Sequence, residues 1–585
     1  MNILFLMCDS MDGRVVDPTS PISKRMKTPA FDALAADGVN FVNTYAASPQ
    51  CVPSRTTMLA GRRSDQTRTW SNGKGFGMSP DGELDATCTN LYDEKTCAAW
   101  GKEQNLSATF FHSLRDAEYD VQVMGKVDVG GGVSKDFGPH VTANGFHSGP
   151  NLSILTRSAD IRKPTKQNPL QITNDQDAHV HPEDWNMIHN CIDWLKAKGS
   201  SDAQENWFLY CSLNIPHPPF DSNATWLDFV DDDLVDIPKW TSTAQHPYDS
   251  YMSVSKDVAG NFTDDEIKKV RKTYYAMVSE TDYMLGLVIQ ACKDAGLYDD
   301  TVVVFLSDHG EMNMEHRQVW KNSFYEASSR VPLIVSAGKT AGEKLKLKRG
   351  VVVKDLVSLL DVYPTLMSFA GATDPRADLS GYTLAPLLSS DPTLVNEHPD
   401  YVVSQYFSNM GNTGAWMIRR GSYKYNAFGQ ALSAFKQGYS PQLFNIDEDP
   451  SELEDIASKN PSIVKEMDAL LRKELASGPN TVSASGDYQE IDRYVKAQQQ
   501  GLYRTYFLDN SGNAEKQWKR LVDCSKNPPS FFEDPEREAP CLASDTDLNN
   551  VTTPKQKLKK MFERAYTGFD GADWEKVQAW ISEKP

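Results

Sequence analysis

The stretch TVVVFLSDHG, residues 301–310, is a run of apolar residues that ends in an aspartate, a histidine and a glycine. Its short length and its valines predict a buried parallel strand with polar residues at the carboxyl end. NILFLMCDS (residues 2–10) and NWFLYCSLN (residues 206–214) repeat this pattern. Helical segments lie between these runs, the clearest of them over residues 263–296. The alternation predicts an α/β fold in which helices sandwich a large mixed sheet.

Polar side chains stand where these predicted strands end. Asp9, Asn214, Asp308 and His309 occupy such positions, and ligands of α/β sheets bind beyond the carboxyl ends of the strands. An aspartate there also fits an ordinary strand-end turn. Two acidic strand ends and a third polar one favour a site for a hard cation, because oxygen ligands suit calcium or magnesium.

Composition narrows the class of protein. The chain has 585 residues and a net charge of −19, which argues against nucleic-acid partners because these require positive charge opposite the phosphates. A local basic pocket for an anionic substrate remains compatible with that charge. No apolar run approaches the roughly 18 residues of a membrane span, so we expect no membrane-spanning segment.

The length predicts two domains. A proline-containing stretch, SSDPTLVNEHPDY (residues 389–401), is typical of a boundary, and the segments after it alternate like antiparallel strands. We therefore expect a larger domain over residues 1–395 and a smaller α+β domain over residues 396–585. The smaller domain is expected to contain an antiparallel sheet, a packed helix and a helical tail.

The cysteines bear on the compartment. Cys88 with Cys97, and Cys524 with Cys541, are spaced like short-loop disulfides, which would indicate an oxidising compartment. Four further cysteines lie in apolar or helical patterns and are interpreted as buried thiols: Cys8, Cys191, Cys211 and Cys292. Residues 1–10 enter the first strand without a basic segment or a cleavage site. The paired cysteines favour a secreted chain from which a leader has been removed.

The segment CVPSR, residues 51–55, needs a separate explanation. A phosphatase-type thiolate loop requires five residues between the cysteine and the arginine, and here there are three. A disulfide half and a packed thiol remain open. A further possibility is that Cys51 is a precursor, because Cys-x-Pro-x-Arg is the signal at which a modifying enzyme oxidises cysteine to formylglycine.

Further segments follow in an order that supports this last interpretation. They are GRR (61–63), GKVD (125–128), NIPHPPF (214–220), SDHGE (307–311), WKNSFYEASSRVPLIV (320–335), LVSLLDVYPTL (356–366) and LFNIDEDPSELED (443–455). Over roughly residues 1–470 the chain resembles the type I sulfatases of the alkaline-phosphatase-like superfamily. The resemblance implies that fold, a Ca²⁺ ion, and conversion of Cys51 by the formylglycine-generating enzyme. The hydrated aldehyde would attack sulfur through one hydroxyl and expel sulfate through the other.

The resemblance also implies roles for individual residues. The catalytic set would be Cys51, Arg55, Lys126, His217, Asp308 and Lys321. The cation would be held by Asp9, Cys51, Asp308 and His309. Sulfate and sugar would be bound by Lys126, His217, His246 and Lys321, with Arg14, His316 and Arg317 as weaker candidates for a sugar carboxylate.

Within the family, CDSMDGR (8–14), AQHPYDSY (244–251) and residues 311–328 resemble members that remove the 2-O-sulfate of a glucuronate. The implied substrate is a uronate 2-O-sulfate in a glycosaminoglycan or similar sulfated polysaccharide, and the implied location is the lysosome or the extracellular space. The chain departs from the usual sulfatase pattern at two positions, where Ser10 replaces a second aspartate and Asp128 replaces a histidine. Residues 73–104 resemble an insertion relative to the members just described. An aryl or algal-polysaccharide sulfatase, a catalytically dead glycan-binding protein and a phosphomonoesterase remain the alternatives.

Overall fold

The computed structural model describes part of the chain. The described residues are 1–67, 69–70, 72, 109–129, 141–143, 170–172, 180–201, 205–240, 246, 248–249, 252, 262–372, 379–407, 413–429, 439–478, 481–492, 495, 575 and 579. The proposed insertion, the four paired cysteines and the helical tail, apart from isolated positions in that tail, lie outside them.

The strands are β1 Asn2–Cys8, β2 Gly38–Phe41, β3 Thr44–Tyr45, β4 Asp120–Lys126, β5 Val141–Ala143, β6 Leu170–Ile172, β7 Trp207–Ser212, β8 Phe220–Ser222, β9 Thr301–Ser307, β10 Arg330–Val331, β11 Leu333–Ala337, β12 Val351–Val353, β13 Val357–Ser358, β14 Tyr401–Tyr406, β15 Ala415–Arg420, β16 Tyr423–Phe428 and β17 Gln442–Asn445. The α-helices are α1 Pro29–Ala36, α2 Cys51–Ala60, α3 Ser64–Thr67, α4 Phe110–Asp116, α5 Pro182–Gly199, α6 Ala224–Leu227, α7 Asp264–Asp294, α8 Glu326–Ser329, α9 Lys339–Leu345, α10 Val362–Ala370, α11 Ala385–Leu388 and α12 Pro461–Leu475. Short 3₁₀ turns occur at Gly13–Val15, Pro21–Lys24, Asp232–Leu234, Tyr298–Asp300, Glu315–Arg317, Leu359–Asp361 and Ala457–Lys459.

The large sheet has the strand order β12-β2-β11-β9-β1-β7-β4-β5. Strand β11 runs antiparallel to both of its neighbours, and the other neighbouring pairs are parallel. The predicted mixed sheet is therefore confirmed. Because β9, β1, β7 and β4 are adjacent and parallel, their carboxyl ends meet at one edge.

Strand β1 shows why helices cover both faces of this sheet. Its residues Leu4 and Leu6 belong to one buried apolar cluster, and Ile3, Phe5 and Met7 belong to another. Successive side chains of a strand point to opposite faces, so a nearly continuous apolar run is needed to fill two cores. This is the pattern that the sequence predicts for a buried parallel strand.

Helix α7 covers one of these faces. It begins at a capping box in which Glu266 N–H donates to Thr263 Oγ1 and Thr263 N–H donates to Glu266 Oε2, as the sequence pattern indicates. None of the helices in the described ranges is both long and apolar enough to cross a membrane.

A second sheet follows the first in the chain. Strands β14, β15, β16 and β17 form an antiparallel sheet in that order, and α12 packs on it through Met467, Leu471 and Leu475. This confirms the expected antiparallel sheet and packed helix. The boundary near residue 395 remains a prediction.

Asn223 is an Asn-x-Ser/Thr position that the structure describes. Its side chain is 5% exposed, and its Oδ1 accepts a hydrogen bond from Trp226 N–H at 3.3 Å. It therefore caps helix α6 rather than presenting an accessible acceptor for a glycan.

A buried charged network joins the second sheet to helix α8 and strand β3. Lys424 Nζ lies 2.8 Å from Glu326 Oε1 and 2.7 Å from Glu452 Oε1, and Tyr45 Oη donates to Glu326 at 2.7 Å. Arg419 lies 3.5 Å from the same glutamate. Each carboxylate faces a cation or a donor, which offsets part of the loss of solvation on burial.

This network makes stability depend on pH. Burial raises the pKa of Glu452 to about 7, against the opposing effect of Lys424 and with help from Glu326. A pKa raised above that of the unfolded chain, about 4.3, gives a stabilising contribution that is complete below that value and is lost as pH rises through about 7. Between pH 5 and 7.5 the unchanged chain is expected to lose about 2 to 3 kcal/mol relative to Glu452→Gln.

Chemical denaturation at several pH values measures this difference. Glu454→Gln is the matched control, since Glu454 is 62% exposed, and it is expected to keep the pH dependence of the unchanged chain. If the free energy of unfolding changed equally with pH in Glu452→Gln and in the unchanged chain, the prediction would be wrong.

Candidate active site

Four side chains predicted to bind a cation meet where the carboxyl ends of β1 and β9 face the first turn of helix α2. Asp9, Cys51, Asp308 and His309 each offer a ligand atom, and these atoms lie within 4.8 Å of one another. All four residues are fully buried. Two carboxylates, an imidazole and residue 51 form a donor set that fits a divalent cation.

Cys51 is the first residue of helix α2, and Pro53 lies in the first turn. Its Sγ lies 3.2 Å from His309 Nε2 and 4.0 Å from Asp9 Oδ1. Burial, followed by the charge of Asp9, raises the pKa of the Cys51 thiol to about 11. The unmodified thiol is therefore protonated at physiological pH, which disfavours a thiolate nucleophile.

Arg55 lies one turn along the same helix, fully buried between the two carboxylates. Its Nε donates to Asp308 Oδ2 at 2.7 Å, and its Nη2 donates to Asp9 Oδ2 at 3.3 Å. Its Nη1 donates to the Lys126 carbonyl at 2.6 Å and to the hydroxyls of Tyr210 and Ser212 at 3.2 and 3.1 Å. Arg55 thus contacts the carboxyl ends of four strands, β1, β4, β7 and β9, and fixes their relative positions.

The two carboxylates differ in their protonation. Burial would raise the pKa of Asp9, but Lys126 and other nearby positive groups hold that pKa well below its usual range. For Asp308, burial and the charge of Asp9 outweigh Arg55, so its pKa is raised. Asp308 is therefore the carboxyl better suited to accept a proton.

Lys126 ends strand β4 beside Asp9. Its Nζ lies 2.7 Å from Asp9 Oδ2 and 3.3 Å from Asp128 Oδ2. Burial lowers the pKa of Lys126, but Asp128 and Asp9 outweigh this and hold it well above its usual value. The preceding Gly125 has φ +91°, and a Cβ there would lie 1.9 Å from Ser212 O, which explains the glycine in the Gly-Lys segment.

His309 is oriented by its backbone contact. Its Nδ1 lies 3.0 Å from Gly310 O, a contact in which a protonated Nδ1 donates. Burial lowers the pKa of His309, so the ring is neutral and its Nε2 lone pair faces Cys51 and the carboxylates. This is the tautomer that a metal-binding imidazole requires.

His217 and Lys321 also belong to the site. Burial, followed by the charge of Lys321, lowers the pKa of His217 well below its usual value. His217 Nδ1 lies 2.6 Å from Pro218 O, which leaves Nε2 for a ligand. Lys321 is 6% exposed. Its charge opposes the rise in the pKa of Cys51 and contributes to the fall in the pKa of His309.

The four other predicted ligand-binding residues, His246, Arg14, His316 and Arg317, have different surroundings. His246 Nε2 lies 2.9 Å from Ser440 O, and its ring stacks on Phe428 of the second sheet. Arg14 pairs with Asp12 at 2.7 Å and with Glu315 at 2.9 Å, so its charge is compensated within the protein. The expectation that Arg14 complements a sugar carboxylate stays a prediction.

His316 and Arg317 lie on a turn before Lys321. The His316 ring stacks on Tyr325 at 3.6 Å between centroids, and its Nε2 lies 2.9 Å from Ser451 O. His316 is thus occupied within the protein. The Arg317 guanidinium lies over the ring of Trp240 at 5.4 Å.

Some residues of the site carry no motif in the sequence. Tyr210 and Ser212 contact Arg55, and their spacing of two on a predicted strand is a signal that both face one side. Asp184 accepts hydrogen bonds from Asn214 N–H at 2.8 Å and Ile215 N–H at 3.1 Å, which holds the turn that carries His217. Its position in the first turn of a helix gives no indication of this contact.

Comparison with known proteins agrees with this geometry. The model of the sulfatase family matches residues 1–372, and a model described as N-sulphoglucosamine sulphohydrolase, C-terminal, matches residues 314–478. The chain belongs to the sulfatase family. It is therefore a sulfuric ester hydrolase by membership, and the predicted family and enzyme class are confirmed.

Arylsulfatase K is the curated relative that recurs among the matches. The chain is 33% identical to arylsulfatase K of Canis lupus familiaris over 519 residues, which covers 85% of this chain and 86% of that protein. It is 32% identical to arylsulfatase K of Homo sapiens, with the same coverage. The sulfatase described here is thus arylsulfatase K-like.

Solved structures share its fold. A phosphonate monoester hydrolase from Silicibacter pomeroyi superposes with a TM-score of 0.59 at 20% identity, covering 81% of this chain and 94% of that one. A structure described as BT1596, a 2-O GAG sulfatase, gives a TM-score of 0.55 at 20% identity, with coverage of 81% and 91%. Both likenesses support the predicted alkaline-phosphatase-like fold.

Proposed function

We propose that this sulfatase removes the 2-O-sulfate of a uronate in a glycosaminoglycan or similar sulfated polysaccharide, with formylglycine at position 51 and Ca²⁺ as its cofactors. The observation that carries the proposal is the position of residue 51. It begins a helix whose N-terminal amides favour an anion, near the buried Lys126 and Lys321 and the partly buried His217.

Conversion of Cys51 is supported by the protonated state of the unmodified thiol. As a hydrated aldehyde, residue 51 supplies one hydroxyl for attack on sulfur and a second that allows sulfate to leave. Asp308, with its raised pKa, is the candidate base for residue 51. Arg55 holds that carboxylate at 2.7 Å and thereby fixes its orientation.

The cation is supported by the donor set. Asp9, residue 51, Asp308 and His309 would hold it, and His309 would bind through Nε2. When bound, Ca²⁺ supplies positive charge opposite the sulfate oxygens. Ser10 is not an additional carboxylate, but its backbone N–H donates to Asp308 Oδ1 at 3.2 Å and its hydroxyl donates to Asp9 Oδ1 at 2.8 Å. Ser10 therefore orients two of the ligands.

Lys126 and Lys321 are proposed to bind the sulfate oxygens as point charges. His217 is neutral in the free site because burial and Lys321 lower its pKa. A bound sulfate ester brings negative charge to that site, which raises the affinity of Nε2 for a proton. His217, together with Lys321, is then able to protonate the leaving alcohol.

The uronate specificity rests on the resemblance to arylsulfatase K, and a fold neighbour described as a 2-O GAG sulfatase points in the same direction. His246 remains a proposed sugar contact, reached from the second sheet. We also propose an oxidising secretory compartment, lysosomal or extracellular, and maturation by the formylglycine-generating enzyme.

Two buried carboxyl groups agree with an acidic compartment. Burial raises the pKa of both Glu280 and Asp282 to about 7, and both groups therefore favour folding at acidic pH.

Activity on matched substrates tests the specificity. We expect kcat/KM for a 2-O-sulfated uronate at the end of a disaccharide to exceed that for a small aryl sulfate by about 10²-fold or more. The control disaccharide carries its sulfate on the hexosamine instead. A preference for the control, for the aryl sulfate or for a phosphate monoester would assign one of the alternative activities. Binding of the disaccharide without turnover by converted protein would indicate a glycan-binding protein.

Removal of calcium tests the cation site. Adding Ca²⁺ at 100-fold above its Kd to chelator-treated protein is expected to raise the free energy of unfolding by about 2.7 kcal/mol. Asp9→Asn is expected to abolish most of this gain because it removes a ligand charge. Asp12→Asn is the matched control, since Asp12 is buried and pairs with Arg14 instead. A thermal shift that Asp9→Asn leaves unchanged would exclude the proposed ligand set.

A further inference from the structure

Two cysteines outside the active site lie against each other in the buried apolar cluster that also contains Leu4 and Leu6. Cys191 belongs to helix α5 and Cys211 to strand β7, and both are fully buried. The Cys191 thiol donates to Cys211 Sγ at a sulfur–sulfur distance of 2.8 Å. This distance is within about 1 Å of the length of a disulfide bond, about 2.05 Å.

We propose that Cys191 and Cys211 form a disulfide bond in the mature protein. The sequence assigns both to the class of buried thiols because they lie in apolar or helical patterns, and they are 20 positions apart in the chain. Packing of α5 on β7 brings the two sulfur atoms together. The inference does not depend on the substrate or on the chemistry proposed for residue 51.

A soft-metal site is the competing interpretation of this sulfur cluster. Met124 Sδ lies 3.6 Å from Cys191 Sγ, so three sulfur atoms are close together. Two thiolates on one tetrahedral Zn²⁺, at about 2.3 Å each, would have to stand about 3.8 Å apart. The 2.8 Å separation is too short for that arrangement. The distance therefore favours a bond between the sulfurs over a shared metal.

The oxidation balances with an ordinary disulfide donor. Each thiol loses its proton, and the pair gives up two electrons as the S–S bond forms. A small-molecule or protein disulfide of the secretory pathway accepts the electrons and is reduced to two thiols. Burial raises the pKa of Cys191 well above its usual value, so exchange is expected during folding, before α5 covers the strand.

The bond would fasten the helix that supports the active-site turn. Helix α5 already holds that turn at its first turn, where Asp184 accepts hydrogen bonds from Asn214 and Ile215. Cys211 lies just before this turn in the chain, and the turn carries His217. A disulfide between Cys191 and Cys211 would link helix α5 covalently to strand β7 and so limit the distance between them.

Peptide mapping without reduction tests the bond directly. The full chain is secreted from a eukaryotic host, denatured at acidic pH with an excess of N-ethylmaleimide, and digested with trypsin. Tryptic peptides 167–196 and 199–239 each contain one cysteine, Cys191 and Cys211 respectively. We expect one species with their summed mass less two hydrogens, which separates into the two peptides on reduction. Recovery of both as maleimide adducts, or linked to other cysteines, would overturn the proposal.

Cys292 provides the internal control for alkylation. It is a buried thiol whose Sγ lies 4.0 Å from Thr301 Oγ1, and peptide 273–293 should carry the label fully. Thermal unfolding gives a second measurement: reductant is expected to lower the Tm of the unchanged chain by at least about 3 °C more than that of the double variant Cys191→Ala, Cys211→Ala. Equal decreases would count against the bond.

Discussion

A Cys51→Ala variant is expected to lose sulfate ester hydrolysis, with kcat/KM at least about 10⁴-fold below that of the unchanged chain. Alanine supplies neither an oxygen nucleophile nor a precursor of one at the start of helix α2. Its smaller side chain leaves Arg55 and the two carboxylates in place, so the protein should fold. Cys51→Ser, which offers a single hydroxyl, is expected to show no sustained turnover either.

The matched control is Cys292→Ala. This buried cysteine lies beside Thr301 at the start of strand β9, at the opposite end from Asp308, and its removal should leave kcat/KM nearly unchanged. The state of residue 51 is measured on tryptic peptide 28–55 from a host that contains the formylglycine-generating enzyme. The aldehyde form has lost two hydrogens and has oxygen in place of sulfur. An unmodified thiol in active protein would show that the nucleophile is another group.

Replacing Arg55 by methionine is expected to lower the free energy of unfolding by about 3–5 kcal/mol and kcat/KM by at least about 10³-fold. The guanidinium is fully buried and faces Asp9 and Asp308 at 3.3 and 2.7 Å. Its removal leaves two adjacent carboxylates without their shared cation. The pKa of Asp308, already raised by burial and Asp9, should rise further, which weakens its ability to bind a metal in acidic solution.

Chemical denaturation and steady-state kinetics on the same preparations separate the two effects. Arg63→Met is the control, because Arg63 is also buried and pairs with Asp65 and Glu474 at 3.1 and 2.9 Å. It is expected to destabilise the protein while the folded fraction keeps its kcat. If Arg55→Met and Arg63→Met lowered kcat equally, Arg55 would be a structural residue rather than one that positions Asp308.

The sequence was sufficient for the features that depend on local order. An apolar run followed at once by Asp308 and His309 predicts both a buried strand and a polar strand end, because a strand end is where the backbone leaves the core. In the CVPSR segment, Pro53 suits the first turn of a helix, and the structure places it there. Parallel neighbours then bring Asp9 and Asp308 to one edge without further information.

Tertiary structure decided which charged side chains have partners within the protein and which can contact a ligand. Arg14 and His316 resemble free ligand-binding groups in the sequence, but Asp12, Glu315 and Tyr325 occupy them in the fold. In the same way, no pattern in the sequence relates Lys424 to Glu326 and Glu452, yet the lysine pairs with both in a buried network. A side chain's partners depend on packing, and sequence spacing does not encode it.

Contacts between distant segments show the same limit. Asp184 supports the turn of His217, and Cys191 faces Cys211, only because α5 packs on β7. Neither contact leaves a periodic or spaced pattern in the chain. The sequence by itself determined the strand ends and the family, and it predicts the conversion of Cys51. The tertiary structure decided the pKa values of the site residues, their ion pairs and the contacts that hold the His217 turn. These depend on burial and on distances between side chains, which only packing sets.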